Sequence, residues 1–286
     1  MPEGDTLFKV AARLQVMVGQ TVTRFESVIP EVAPVGRTLT TIEARGKNLL
    51  IWFDATHALY THLRMEGSWH LYRPQVAWRK PATAARAVVG TAEWLAVCFY
   101  APVVEWLSAW EVEHHPVLSA LGPDLLGPDD PDQTVALALE RLRNDPKRPL
   151  GEAMLDQRLV AGLGNVYKSE LLFMERLDPF KPVGEYDDPT LRRLLEAGRK
   201  WMRRNLGAGP RKTRWDSGGA NTWVYNRSGE LCPRCNTPIA MRRQGTLGRT
   251  TYYCPRCQGV GNNASTTTST PAAPPRGRVL VRGPAR

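Results

Sequence analysis

Four of the five cysteines fall in Cys232-Pro-Arg-Cys235 and Cys254-Pro-Arg-Cys257, with eighteen residues between the two motifs. Each Cys-x-x-Cys turn presents two thiolates, and two such turns supply the tetrahedral sulfur set of a closed zinc site. With all four positions filled by protein no coordination site is left for a substrate, so one zinc per chain, with a structural role, is expected. A redox pair would need one such motif. The segment between the pairs carries Arg242, Arg243 and Arg249 and reads as a basic β-hairpin, suited to nucleic acid or to holding proteins together. Cys98 stands alone in the apolar run 94–100 and reads as a packed strand thiol.

A second chemistry lies at the start of the chain. A small residue after Met1 favours removal of the initiator, leaving Pro2 as a secondary amine. An α-amino group has a pKa of about 7.7–8.0, so part of it is neutral at physiological pH. Such an amine can attack an electrophilic carbon and form a Schiff base, and Glu3 beside it can donate or shuttle a proton. Alone this is weak, because most chains beginning Met-Pro do no chemistry there. A third feature is the run from Leu155 to Asn165, where Gly162 and Gly164 precede Asn165 at the expected N-cap of a helix. Glycines there let a ligand approach the backbone, and a helix N-terminus favours phosphate; an ordinary capped pair of helices fits equally well. The doublet His114-His115 reads as a solvated loop before Pro116.

These groups need a scaffold. The 286 residues are 42% hydrophobic with nine tryptophans, enough for two modest cores. Mean hydropathy is −0.34, and no apolar run approaches the ~18 residues of a membrane span. No targeting segment is visible, so a cytoplasmic protein with no membrane partner is expected. Asp5 or Thr6 can cap a helix built on Leu7, Val10, Ala11, Leu14 and Met17, with Gly19 stopping it. Strand-like runs follow at 21–29, 38–43, 48–54, 58–63, 68–72, 84–89 and 93–100, without helices between them, which predicts an antiparallel β-sandwich. Punctuation by Gly-Pro and Asp-Pro marks 116–131 as a linker, after which helical periodicity appears at 134–143, 152–160, 165–175 and 190–206. The expected fold is α+β: a sandwich over 1–116 flanked by the N-terminal helix, a linker over 117–131, a helical domain over 132–228, a zinc hairpin over 229–258 and a disordered tail over 259–286.

Charge is distributed unevenly. The chain carries net +10, yet residues 1–198 are net −5 and residues 199–286 are net +15. Only four of the C-terminal cations lie beyond residue 258, so most belong to sequence that looks folded. A polyanionic partner is implied. On the last long helix, Arg192, Arg193, Arg199, Lys200, Arg203 and Arg204 form a solvated face by default.

Met-Pro-Glu-Gly-Asp-Thr at the start, Arg45-Gly-Lys47-Asn-Leu-Leu on an early strand, Leu155 to Asn165, and Gly248-Arg249-Thr-Thr-Tyr-Tyr-Cys254-Pro-Arg-Cys257 together resemble the formamidopyrimidine-DNA glycosylase / endonuclease VIII family. The match runs in order to about residue 258, and the opening is similar to the endonuclease VIII branch, in particular its actinobacterial second group. The resemblance implies a bifunctional DNA glycosylase and abasic-site lyase of base excision repair, a monomer acting on damaged DNA, with a helix-two-turn-helix and a zinc finger, at the bacterial nucleoid. It implies Pro2 as nucleophile, Glu3 in ring opening, Lys47 in β-elimination, Arg249 in phosphate binding and δ-elimination, and Asn165 as a phosphate ligand. Oxidised pyrimidines are the expected lesions. Each of Lys47, Arg249 and Asn165 also has a plain reading, as a surface lysine, a hairpin charge and a helix cap. The segment from His62 to Trp69 resembles the loop that fills the gap left by a flipped base, which nominates Arg64 and Met65, although a hairpin turn with Met65 in the core fits nearly as well. This chain departs from other members at Thr6, where many carry a second glutamate. Two alternatives stand beside the enzyme: a helix-two-turn-helix and zinc-ribbon protein that binds nucleic acid without catalysis, and an abasic-site lyase with little glycosylase activity.

Overall fold

The computed structural model describes residues 2–30, 32–215 and 219–261; the tail from 262 onward, read above as disordered, lies outside the described residues. Helix α1 (Gly4–Leu14) buries Leu7, Ala11 and Leu14 at helical spacing. Its N-cap is Glu3, ahead of the expected Asp5 or Thr6, and Thr6 Oγ1 accepts a hydrogen bond from the Glu3 amide at 3.4 Å. Eight antiparallel strands follow. One sheet orders β2 (Leu39–Arg45), β3 (Asn48–Phe53), β4 (His57–His62) and β8 (Val103–Ser108). The other orders β1 (Arg24–Ser27), β6 (Ala85–Gly90), β7 (Leu95–Phe99) and β5 (Ser68–Tyr72). Between them Leu39, Ile42, Leu49, Ile51, Leu59, Val89 and Cys98 form a core closed by Leu7 and Leu14 of α1. Cys98 is the packed strand thiol that was expected.

β8 was absent from the expected strands. It follows Pro102, lies at a sheet edge paired only with β4, and is mostly half-buried, so its apolar signal is diluted. Helix α2 (Ala109–His114) was missed too, although Ser108 and Glu111 form a capping box.

The second half is built from α3 (Pro131–Arg143), the short α4 (Leu150–Ala153), α5 (Asn165–Met174) and α6 (Asp188–Arg204). The helix expected over 152–160 ends at Ala153; turns follow, with Val160 and Leu163 buried in the domain core beside Leu142, Leu171 and Leu194. The hairpin β9 (Ala240–Gln244) and β10 (Arg249–Tyr253) leads into α7 (Pro255–Gln258), and it rests on Phe173 of α5 through Val224, Cys232, Ile239 and Cys254. Among the described residues no helix is long and apolar enough to cross a membrane.

Candidate functional site

The two halves meet where the N-terminus enters the loop before α5. The Gly4 amide donates to Gly162 O at 2.9 Å, an approach closed to any side chain, because a Cβ on Gly4 would lie 2.9 Å from Gly162 Cα. Glu3 is fully buried beyond this contact. Its Oε1 accepts from the Val166 amide at 2.8 Å, and its Oε2 accepts from Gly164 at 3.1 Å and Tyr167 at 3.3 Å. A carboxylate from the first helix therefore caps the fifth, in accord with the positive end of its dipole. Gly164 is required at that position, since a Cβ there would overlap the Glu3 carboxyl carbon at 2.4 Å.

That arrangement corrects two expectations. Asn165 is the first residue of α5, and Gly164 is the N-cap. The amides of Gly164, Val166 and Tyr167 go to Glu3, so they are not on offer to a phosphate. The Asn165 side chain donates from Nδ2 to Thr250 Oγ1 at 3.0 Å, while its buried Oδ1 has no hydrogen-bond partner.

Lys47 enters from the turn between β2 and β3. The turn before it is fixed by the Gly46 amide, which donates to Asp124 Oδ2 at 2.6 Å. Asp124 lies in the stretch read as a linker, so that stretch also clamps the lysine turn. Burial drives the Lys47 pKa down, Glu3 opposes the shift, and Arg249 and Arg211 lower it further, to about 8. A cavity of about 610 Å³ brings together Pro2, Lys47, Arg64, Met65, Asn165 and Arg249. All seven candidate residues other than Cys are thus at one place: six line the cavity, and Glu3 stands behind it. Met65 is 60% exposed, which removes the reading that buries it in a hairpin core. Arg64 takes a left-handed backbone (φ 49°), and its amide donates to His62 Nδ1 at 3.1 Å. Burial first, then Arg64 and Lys47, hold the His62 pKa down at about 4.

Three groups at the site escaped sequence reasoning. His115, read as a solvated loop residue, is largely buried, with its Nε2 3.1 Å from Glu105 Oε2. Its ring lies against Tyr60, whose hydroxyl donates to Asn48 Oδ1 at 3.0 Å, and Tyr60, Glu105 and His115 form one wall of the cavity. The signal that could have found His115 is the Ser108–Glu111 capping box, which turns the doublet into a helix end. Arg211 pairs with the buried Asp5, donating from Nε to Oδ2 at 2.9 Å, and from Nη2 to Thr6 Oγ1 at 3.0 Å. Thr6, in place of a second glutamate, therefore serves the arginine. The pair borders a second cavity of about 470 Å³, which Pro2 also lines, so Pro2 stands between the two. The third group is Lys168, buried in α5 against Thr250.

The four hairpin cysteines converge as their spacing predicts. Their sulfurs all lie within 4.8 Å of one another, with Cys232–Cys257 at 3.8 Å and Cys235–Cys254 at 3.4 Å. A zinc with bonds of about 2.3 Å to four thiolates sets its sulfurs about 3.8 Å apart, so the residues fit one closed, structural zinc site.

Family models match in the same order as these parts. The formamidopyrimidine-DNA glycosylase N-terminal domain matches residues 1–100, the H2TH domain of the same family residues 121–216, and the zinc finger found in FPG and IleRS residues 229–260. The chain is 40% identical to a probable endonuclease 8 2 of Streptomyces coelicolor, covering 99% of both, and 38% identical to the DNA-(apurinic or apyrimidinic site) lyase Nei2 of Mycolicibacterium smegmatis, covering 90% of this chain and 99% of that one. A solved complex of Lactococcus lactis Fpg with DNA containing N7-benzyl-Fapy-dG superposes with a TM-score of 0.72 at 26% identity, over 90% of this chain and 99% of that one. The antiparallel sandwich, the helical domain and the zinc finger are thus a known combination, and the chain belongs to the formamidopyrimidine-DNA glycosylase / endonuclease VIII family.

Proposed function

We propose that the protein is a bifunctional DNA glycosylase and abasic-site lyase of base excision repair, acting as a monomer in the cytoplasm on damaged DNA at the nucleoid, with oxidised pyrimidines as its preferred lesions. The observation that carries this is the gathering of Pro2, Lys47 and Arg249 from three separate segments around one cavity. A protein that only binds nucleic acid has no physical reason to collect an N-terminal amine there. The division into 1–116, 117–131, 132–228, 229–258 and 259–286 belongs to the same proposal and is supported by the order of the family models.

The chemistry runs as follows. The damaged nucleotide leaves the base stack, and the Pro2 nitrogen, freed by loss of Met1, attacks C1′ of the deoxyribose. The base departs with the glycosidic electron pair and a proton, the ring C1′–O4′ bond opens with proton transfer assisted by Glu3, and an iminium forms. Loss of a C2′ proton expels the 3′ phosphate, with Lys47 contacting phosphate, and a second elimination releases the 5′ phosphate beside Arg249. Arg64 and Met65 fill the gap in the duplex, and Asn165 contacts the backbone. For Asn165 to meet a phosphate through Nδ2, Thr250 must give up its hydrogen bond.

Borohydride reduction tests this. Protein whose N-terminus is verified as Pro2 should form a covalent adduct with abasic-site DNA, and Pro2→Gly should lower its yield. Absence of any adduct would sink the proposal, and an adduct that survives Pro2→Gly but not Lys47→Ala would move the nucleophile to Lys47. A second reading, a lyase with little glycosylase activity, is favoured by the name of the mycolicibacterial relative. Nicking of thymine glycol, dihydrouracil and abasic duplexes separates them: cleavage confined to abasic DNA selects the lyase.

A further inference from the structure

Lys168, the fourth residue of α5, is fully buried. Its ammonium donates to Thr250 O at 2.9 Å and to Thr251 Oγ1 at 2.7 Å. A lysine can only donate, so the Thr251 hydroxyl accepts from it and passes its own proton to Gln244 Oε1 at 2.9 Å; the Gln244 amide in turn donates to Pro179 O at 2.8 Å. Two further bonds run parallel to this chain, from Asn165 Nδ2 to Thr250 Oγ1 and from the Tyr252 amide to Ser169 Oγ at 3.4 Å. One face of α5 is therefore stitched to β10 directly after Arg249.

An ammonium is costly to bury, and an apolar side chain would fill the same gap without that cost. Burial pushes the Lys168 pKa down, Glu3 and Glu152 oppose the shift and Arg249 adds to it, which brings it to about 7. A two-stranded hairpin has little stability of its own. Without the Lys168 contacts, the backbone that aims the exposed Arg249 guanidinium into the cavity would rest on the zinc turns, its pairing with β9 and the side-chain hydrogen bonds of Asn165, Ser169 and Gln244.

We propose that Lys168 is a positioning residue that sets the direction of Arg249 relative to the reaction cavity, and so governs the second elimination step. The proposal rests on the reading that Arg249 serves δ-elimination, and it adds that α5 holds both chemical elements: Glu3 at its first turn and the arginine strand one turn later.

Lys168→Met and Lys168→Gln should be compared with wild type on abasic-site duplex, following borohydride trapping, zinc content and the ratio of β,δ- to β-elimination products. Misplacement of a positioned group by about 1 Å can cost up to ~100-fold, so the product ratio of Lys168→Met should fall by about tenfold or more with zinc retained. Arg249→Ala should lower the ratio similarly, and the double variant should go little further. Lys168→Gln, which keeps a donor, should lie between. A merely structural role would reduce trapping and both products together and leave the ratio unmoved; a wild-type ratio in zinc-loaded Lys168→Met overturns the proposal. Should Lys168→Met fail to fold, a wild-type ratio in Lys168→Gln does the same. Failure of wild-type protein to trap would instead count against the enzyme reading itself.

Discussion

The carboxylate of Glu3 accepts a hydrogen bond from the Val166 amide at 2.8 Å across 163 positions of sequence. This bond and its two companions tie the start of the chain to the helical domain, so the residue next to Pro2, the proposed nucleophile, cannot be placed until both halves have folded. Glu3→Gln replaces one acceptor oxygen by a donor facing backbone N–H groups. An unsatisfied buried donor costs about 1–3 kcal/mol, and the unfolding midpoint in urea should fall accordingly with an unchanged slope. An unchanged midpoint would mean that the cap contributes nothing.

The Arg211 pair with Asp5 is similarly interior, with 15% and 1% of the two side chains exposed. Removing one member of a buried pair typically costs roughly 3–5 kcal/mol, because the other charge stays behind. Arg211→Met should therefore destabilise far more than Arg193→Met, whose partner Glu175 sits in a more exposed pair. Equal losses in the two variants, measured by denaturant unfolding, would show that the Asp5 contact is not special.

Chelation of the zinc should release one equivalent of metal per chain and abolish DNA binding. The ion closes the turns at one end of the hairpin, and that hairpin carries Arg249. Cys235→Ser should act in the same direction. Metal analysis returning no zinc in DNA-binding protein would refute this.

Met65 projects into the cavity with 60% of its surface exposed, as does Leu247 at the hairpin tip with 78%. Met65→Ala should leave folding stability within about 0.5 kcal/mol, as for other exposed positions, while weakening binding to duplex with a flipped or missing base. A large loss of stability with unaltered binding would restore Met65 to a core role.

What the sequence conveyed depended on the range of the interaction. The cysteine turns, α1 and the alternating strands are local patterns, and they were legible. α6 was legible in its apolar face, and its bounds moved two residues toward the N-terminus: it starts at Asp188, where Asp187 caps the helix and Pro189 occupies the first turn, and ends at Arg204. Contacts between distant segments left no such mark. Nothing near Asp124 signals that it holds the Gly46 amide, and the pattern of α5 treats Lys168 as one more helical residue. The N–H groups at the start of α5 were misread for the same reason: a glycine-rich helix start looks like a phosphate site whether its N–H groups meet a ligand or, as here, a carboxylate from the same chain.

The lowered pKa of Lys47 makes a prediction about pH whose direction can be fixed. Burial and the neighbouring arginines bring the group to about 8 against an ordinary value of 10.5, so its cation is lost as pH rises through 8. The Pro2 amine must be neutral to attack, and an ordinary α-amino group, with a pKa of about 7.7–8.0, gains its reactive form over the same range. kcat/KM for abasic DNA, which reports the free protein, should therefore follow a narrow bell near pH 8. Lys47→Arg keeps the positive charge at all accessible pH, so it should remove the alkaline limb and leave the acidic limb in place. Stability should move in a linked way. Between pH 8 and 10.5 the unfolded chain holds a proton at Lys47 that the folded chain has released, so folding gains stability as pH rises through that window. Lys47→Met should flatten that slope. An alkaline limb that persists in Lys47→Arg would assign it to another group and remove the Lys47 cation from the elimination step.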